Sequence, residues 1–578
     1  MKSLEKNLFA VLGLICVLAF VSNAQQIQRT PFDVTNYRMD VQLLPDQNKL
    51  DATVDVDFIP MEDTRTVSFE LNGSLKIENI TRQNSSNSIV STTLPPTKGK
   101  ITPSKTPISA QNQVTFIQDQ VGISDLGPSV KVDLGETVAK GASVTLRFKY
   151  SGVLVTPAGG PLLTKKLAYV GINEGYLMYA ARWFPFHNYA ADLATSDISV
   201  SLPASFQIVG YSETPVSTTG GKYRFVRTKP GLVGNFAYGK YTKSQLSFNG
   251  YALEFNTKAV NTATISYYGE TLGRALDHYS KKYGDSNSGK RIIIAQIDDE
   301  SLEFYSSQGM IFVANRVFEQ SRESVEERLQ REAAYQWWGM TVGLKSFDDA
   351  WLSQGLAEYS AFSLRESTAT GANLDSLRRE LLEKALTFEQ TASLSRTPAV
   401  LDDQSIAYQY VMFSKGALVF KLLRDTLGEQ KFNQLLRKLL EDYRGKNASI
   451  YDFEQLASQV AGKNMRYFFA RWVDSTGVPE FQVDYQIIRN SAGKFIARGT
   501  IKQNYDNLQL PVDVQLRAEG EGNNQTITIN VDDTSADFNI ISDGKPLAVI
   551  IDPDHKLLRI SDDLRISSIA RRGIEQFK

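Results

Sequence analysis

Residues 324–358, SVEERLQREAAYQWWGMTVGLKSFDDAWLSQGLAE, decide the fold. The stretch reads as two helices joined by a turn. Ser324, with Glu327 three residues on, has the form of a capping box and predicts the start of the first helix. Val325, Leu329, Ala333, Trp337 and Met340 recur at helical spacing and mark a buried stripe. Gly339 and Gly343 are expected to end that helix, and residues 351–362 read as the second.

This stretch resembles the zinc-binding core of the aminopeptidase N family of gluzincin metallopeptidases. There the pattern H-E-x-x-H runs straight into Q-W-W/F-G, and a glutamate within W-L-N-E-G follows after eighteen residues. Two histidines at i and i+4 lie on one helical face and bind one Zn²⁺. The second helix adds a carboxylate, and the glutamate beside the first histidine is the general base on metal-bound water. The present chain keeps the frame Gln336-Trp337-Trp338-Gly339 and Ala350-Trp351-Leu352-Ser353-Gln354-Gly355. The positions of the three ligands hold Arg331, Tyr335 and Gln354. Of the chemical residues only Glu332, at the position of the base, keeps its type.

Those substitutions oppose zinc. An arginine cannot be deprotonated and offers no lone pair. A guanidinium about 4 Å from a divalent ion repels it by roughly 8 kcal/mol at an effective dielectric near 20. A structural site with four good ligands gains only about 10–16 kcal/mol. The expectation is therefore no metal and no cofactor, although the resemblance alone would imply zinc. The same resemblance places Gln308, Gly309, Met310 and Ile311 at the G-A-M-E-N segment that lines the cleft as an edge strand. Its glutamate holds the substrate's α-amine, and Ile311 stands there. Phe413, in Phe413-Ser414-Lys415-Gly416, replaces the tyrosine that supports the tetrahedral intermediate, a loss of about 10²–10³ in rate. Tyr408 and Tyr410 are the candidates to substitute for it. Arg182-Trp183-Phe184-Pro185-Phe186 resembles the segment built on F-P-C-x-D, with Asn188 at the aspartate and His187 as a loop residue. Glu332 is then read as structural, pairing with Arg331 or a nearby base. Asp348 or Asp349 is the expected partner that neutralises Arg331 in the vacated metal position, because metal-binding side chains of such sites are oriented by nearby carboxylates.

The chain has 578 residues, 42% of them hydrophobic and 22% charged, which fits several globular domains. A net charge of −1 gives no reason to expect nucleic acid as a partner. The three histidines, His187, His278 and His555, share no metal-ligand spacing. Residues 1–24 have the form of a secretory signal, with Lys2 and Lys6, an apolar run and a small-residue cleavage site. Cys16 lies in that run, so the mature chain is expected to have no disulfide and no later membrane span.

The fold implied is a multidomain α+β arrangement. An N-terminal β saddle is expected over 25–250, a thermolysin-like (gluzincin) α/β domain over 251–479, a β-sandwich over 480–560 and a tail over 561–578. Alternation supports strands at 37–43, 52–58 and 144–150, with a Ser/Thr/Pro-rich loop at 83–109. The resemblance also implies a more open cleft than in relatives with a fourth, helical domain. The function expected is that of an exported, catalytically inactive pseudopeptidase, periplasmic or extracellular, which binds a peptide, a polypeptide or a protein partner. Two alternatives stay open. One is a divergent metallopeptidase with Glu332 as base, and the other is a non-catalytic subunit of an envelope complex. Sequons occur at Asn72, Asn79, Asn84, Asn447 and Asn524.

Overall fold

The computed structural model describes residues 31–83, 114–119, 129–155, 165–187, 192–403, 405–505, 510–531, 534–560 and 564. The signal segment, Asn84, Asn188 and nearly all of the 83–109 loop lie outside them. In Phe32–Leu44 and Lys49–Pro60 apolar residues alternate with polar ones, which commits one face of each strand to a core. The two pair antiparallel, and Phe32–Leu44 also runs parallel to Ala194–Ser201. They form the middle of a seven-stranded sheet. Val34, Val41, Val54, Phe58, Leu146 and Phe148 are fully buried beneath it, with Trp183 and Phe184 in the same core. His187 belongs to this packing. It stacks on Phe32 at 3.7 Å and its Nδ1 lies 3.2 Å from Asp192.

A five-stranded sheet carries the next region, in the order Thr242–Phe248, Tyr251–Thr257, Arg291–Ile297, Met310–Ala314, Phe304–Ser307. Arg291–Ile297 is parallel to both of its neighbours and buried on both faces, which its near-continuous apolar run reflects. Ile292 and Ile294 face the helices, whereas Ile293, Ala295 and Ile297 join the core of the N-terminal sheets. The strand Met310–Ala314 lies inside this sheet. The edge expected at Gln308–Ile311 is instead Phe304–Ser307, and Met310 and Ile311 are fully buried.

The first core helix spans Arg322–Ala334. Its N-cap is Ser321, whose side chain accepts from the Ser324 backbone N–H, so the helix begins one turn before the Ser324–Glu327 box. Val325, Leu329, Ala333 and Trp337 are fully buried, while Met340 is partly exposed. The helix closes at Tyr335, before Gly339. The second core helix is Trp351–Glu366. The tryptophans hold this pair in place. The Trp337 indole donates to the Gly284 carbonyl at 2.7 Å, Trp338 to the Ser360 hydroxyl at 3.0 Å and Trp351 to the Gly416 carbonyl at 3.2 Å. Trp351 also stacks on Phe420 at 4.2 Å. A buried indole N–H needs a partner, so this frame is fixed by packing, whatever the chemistry beside it.

Two three-stranded sheets follow, one through Phe481–Arg489, Phe495–Gln503 and Ser535–Ser542, the other through Gln525–Val531, Leu510–Ala518 and Pro546–Ile551. Their inner residues Val512, Val514, Ile501 and Phe538 share one core with the helices. Among the described residues no helix is long and apolar enough to cross a membrane.

Candidate functional site

Arg331 and Tyr335 leave the last turn of the first core helix, and Gln354 leaves the first turn of the second. The Arg331 guanidinium is held on three sides. Its Nη1 donates to Glu358 Oε2 at 3.1 Å, its Nε lies 3.8 Å from Glu332 Oε1, and its plane covers the Phe413 ring at 4.5 Å. Phe413 can do this because Tyr410–Lys415 is a π-helical turn, a local widening often found at functional sites. Burial opposes the charge on Arg331, but Glu358, then Tyr335 and Glu332, holds the group above its ordinary pKa.

The expected aspartates do not take part. Asp349 accepts from the Ile450 backbone N–H and from the Ser346 hydroxyl, both at 2.8 Å, and Asp348 is exposed. Both carboxylates sit in the turn before the second helix, whereas Glu358 is two turns along it and faces the first helix.

Glu358 does not meet Arg331 alone. It shares a hydrogen bond with Glu327, which also pairs with Arg365 at 3.0 Å. Burial, then the nearby Glu327, pushes the Glu358 carboxyl up to about 8. Glu327 goes the other way: burial would raise it, but the Glu358 hydrogen bond and Arg365 take it down to about 2. The opposite shifts are those of two hydrogen-bonded carboxyls that titrate as a pair and share one proton, facing two guanidinium groups. Sequence reasoning missed Glu327, Glu358 and Arg365. The signal was present, because Glu327 and Arg331 are four apart on one helix, as are Gln354 and Glu358 on the other.

Glu332 is 5% exposed. Its Oε2 accepts the Ser306 hydroxyl at 2.7 Å, and burial raises its carboxyl above the ordinary range against the pull of Arg331. Ser306 comes from the edge strand, so the strand that reaches the site is Phe304–Ser307. Gln308 and Gly309 turn away from it. Gln308 accepts from Arg227 at 2.7 Å and donates to the Asn287 carbonyl at 2.9 Å. The Gly309 N–H donates to Gln336 at 2.9 Å. Burial also raises the Tyr335 hydroxyl far above its ordinary pKa. The Gln354 side chain hydrogen-bonds Tyr408, while Tyr410 packs on Phe388. Among the described residues, Arg331 Nε, Gln354 Oε1 and Arg365 Nε are buried with no hydrogen-bond partner, although Arg331 Nε keeps its ionic contact with Glu332.

These residues do not fit zinc. A guanidinium, a phenol kept protonated by burial and a neutral amide stand where lone pairs are needed. Among the described residues no group of three or more His, Cys, Asp or Glu is placed to hold a metal. A cavity of about 880 Å³ opens elsewhere, between the helix Thr262–Tyr283 and the C-terminal sheets, with Lys282, Arg424, Asp513 and Lys556 on its walls.

Comparison with known proteins agrees with the geometry of the frame. Residues 293–472 match the Peptidase family M1 domain. The chain is 23% identical over 348 residues to aminopeptidase A of Gloydius brevicauda, a match that covers 55% of this chain and 35% of the relative. It is 23% identical over 283 residues to probable aminopeptidase 1 of Sulfurisphaera tokodaii, covering 47% of this chain and 35% of that protein. The match thus spans about a third of the length of these curated relatives. Among solved structures, aminopeptidase A of Legionella pneumophila with aspartic acid superposes with a TM-score of 0.69 at 14% identity, covering 91% of this chain and 59% of that one. An M1 zinc metallopeptidase from Deinococcus radiodurans, bound to a Tyr-Ser-Ala substrate, gives 0.60 at 17% identity over 78% of this chain and 95% of its own.

Proposed function

From a chain that is an aminopeptidase N-like gluzincin with a Peptidase family M1 domain at residues 293–472, we propose that the function is binding without hydrolysis: an exported pseudopeptidase that holds a peptide or an extended segment of a partner protein. One observation carries this reading. The place of the first metal ligand is filled by a cation, Arg331, locked by Glu358 at 3.1 Å and by the Phe413 ring at 4.5 Å. Phe413 lacks the hydroxyl that would support an oxyanion, and Glu332 accepts the Ser306 hydroxyl at 2.7 Å.

The same residues supply a reason to bind peptide. A buried donor at Arg331 Nε and a buried acceptor at Gln354 Oε1 both lack a hydrogen-bond partner among the described residues, which is unfavourable until each is satisfied. A peptide carries both types of partner, a carbonyl for a donor and an N–H for an acceptor.

The test is a fluorescence-anisotropy titration of labelled unstructured peptides, run beside an aminoacyl-reporter assay. Peptides are expected to bind uncleaved, and Gln354→Met is expected to weaken binding about 5–10-fold, the equivalent of one hydrogen bond. Metal-dependent release of amino-terminal residues would favour a divergent hydrolase with Glu332 as base. Absence of any peptide affinity would remove the binding function.

A further inference from the structure

Arg227 lies on the strand Lys222–Gly231 of the N-terminal sheet and is 7% exposed. Among the described residues its hydrogen-bond partner is neutral: Nη1 donates to Gln308 Oε1 at 2.7 Å. Its guanidinium stands 5.0 Å from the Tyr211 ring. Among the described residues no carboxylate comes within 4.0 Å of it. Glu213 is the acid that most influences it, yet one Glu213 oxygen is taken by the Thr228 N–H at 2.9 Å and by the Thr228 hydroxyl. Gln308 is oriented by its own donation to the Asn287 carbonyl, which leaves its oxygen for Arg227.

An arginine in this position cannot become neutral, and burial of a cation without a counter-charge is strongly unfavourable. The space beside it answers that. A cavity of about 20 Å³ is lined by Arg227, Tyr211, Ser196, Asn235, Phe236 and Gln308, large enough for a single small ion or water. Ser196, 5% exposed, lies opposite Arg227 in the strand register. Gly231 lets the Arg227–Gln308 pair lie against the backbone, since a Cβ there would come within 2.2 Å of Arg227 Nη1.

We propose that this cavity is a binding site for one small monovalent anion, held by Arg227 with Ser196 beside it, at the seam where the N-terminal sheet meets the Gln308 turn. The Asn235 amide on its wall donates to the Met178 carbonyl. The chemistry admits a halide or a formate-sized carboxylate.

Crystals of the full chain in bromide, phased for anomalous scattering, are expected to show one bromide on Arg227. Melting temperature at constant ionic strength is expected to rise saturably by about 2–4 °C in chloride over gluconate, with the dependence lost in Arg227→Met. A rise in formate but not in chloride also supports the site and assigns a carboxylate as occupant. No bromide at saturating concentration together with a halide- and formate-independent melting temperature would overturn it, as would the same chloride slope in Arg227→Met. Should that variant fail to fold, the bromide map and the anion series on the unaltered chain decide.

Discussion

At the scale of single residues, the site turns on how Arg331 is neutralised. Breaking one side of a buried ion pair leaves an uncompensated charge and typically costs about 3–5 kcal/mol. Glu358→Ala is expected to lose an amount of that order in urea unfolding, whereas Asp348→Ala should stay within about 0.5 kcal/mol, since Asp348 is exposed and does not meet Arg331. A pH series gives a second check. A carboxyl raised in the folded state from 4.5 to about 8 contributes its stability in full below about pH 4.5 and loses it as the pH rises toward 8. Glu327, lowered to about 2, acts in the opposite window, between about 4.5 and 2. Stability should therefore fall from about pH 5 to 8, by no more than about 1.4 kcal/mol per pH unit from this group. Glu358→Gln should flatten the slope. An unchanged slope in that variant would mean that the proton shared with Glu327 is not there. The sequence made Arg331, Tyr335 and Gln354 visible because the surrounding tryptophan frame fixes their register, and Phe413 through the Ser414-Lys415-Gly416 that follows it. It showed the Glu332 contact but not the carboxylate that hydrogen-bonds Arg331, because Asp348 and Asp349 are nearer the motif, whereas Glu358 reaches Arg331 only when the two helices cross.

At the scale of elements, the caps and the π-helical turn are the testable parts. Ser321→Ala removes the N-cap of the first core helix and should cost about 1 kcal/mol, while Ser324→Ala, at the expected but unused cap, should cost less than about half of that. The reverse order would restore the Ser324 start. Lys415, in the π-helical turn, is 1% exposed and pairs with Glu389 at 3.1 Å, and Glu389 also accepts the Gly477 N–H at 2.7 Å. Lys415→Ala should destabilise by about 3–5 kcal/mol. It should also loosen Phe413 beneath Arg331, readable as lost peptide affinity. The edge strand was the element least legible beforehand. Gly309-Met310-Ile311 carries the stronger local likeness, but an apolar run of that kind equally suits an interior strand. Only the pairing with Arg291–Ile297 on one side and Phe304–Ser307 on the other decides which it is.

At the scale of the whole molecule, alternation and the apolar run of Arg291–Ile297 made the β-rich beginning, the central sheet and the closing sheets readable in outline. What alternation could not supply was that the central sheet divides its two faces between two cores, with Ile293 and Ile294 on opposite sides. The same sheet meets both regions, Gln308 accepting from Arg227 of the N-terminal sheet and Ser306 donating to Glu332 at the site. The frame and the chemistry separate physically: the indoles, sheets and helix crossings are held by packing, and in the proposed function the cation Arg331 stands where the family's first metal ligand would be. The measurement that bears on this most directly is the zinc content of the purified chain after exposure to excess Zn²⁺, read by native mass spectrometry. With Arg331 locked by Glu358 and Phe413, no bound zinc is expected beyond loosely held, chelator-labile ions. One Zn²⁺ per chain that survives mild chelation and disappears in Gln354→Ala would contradict it.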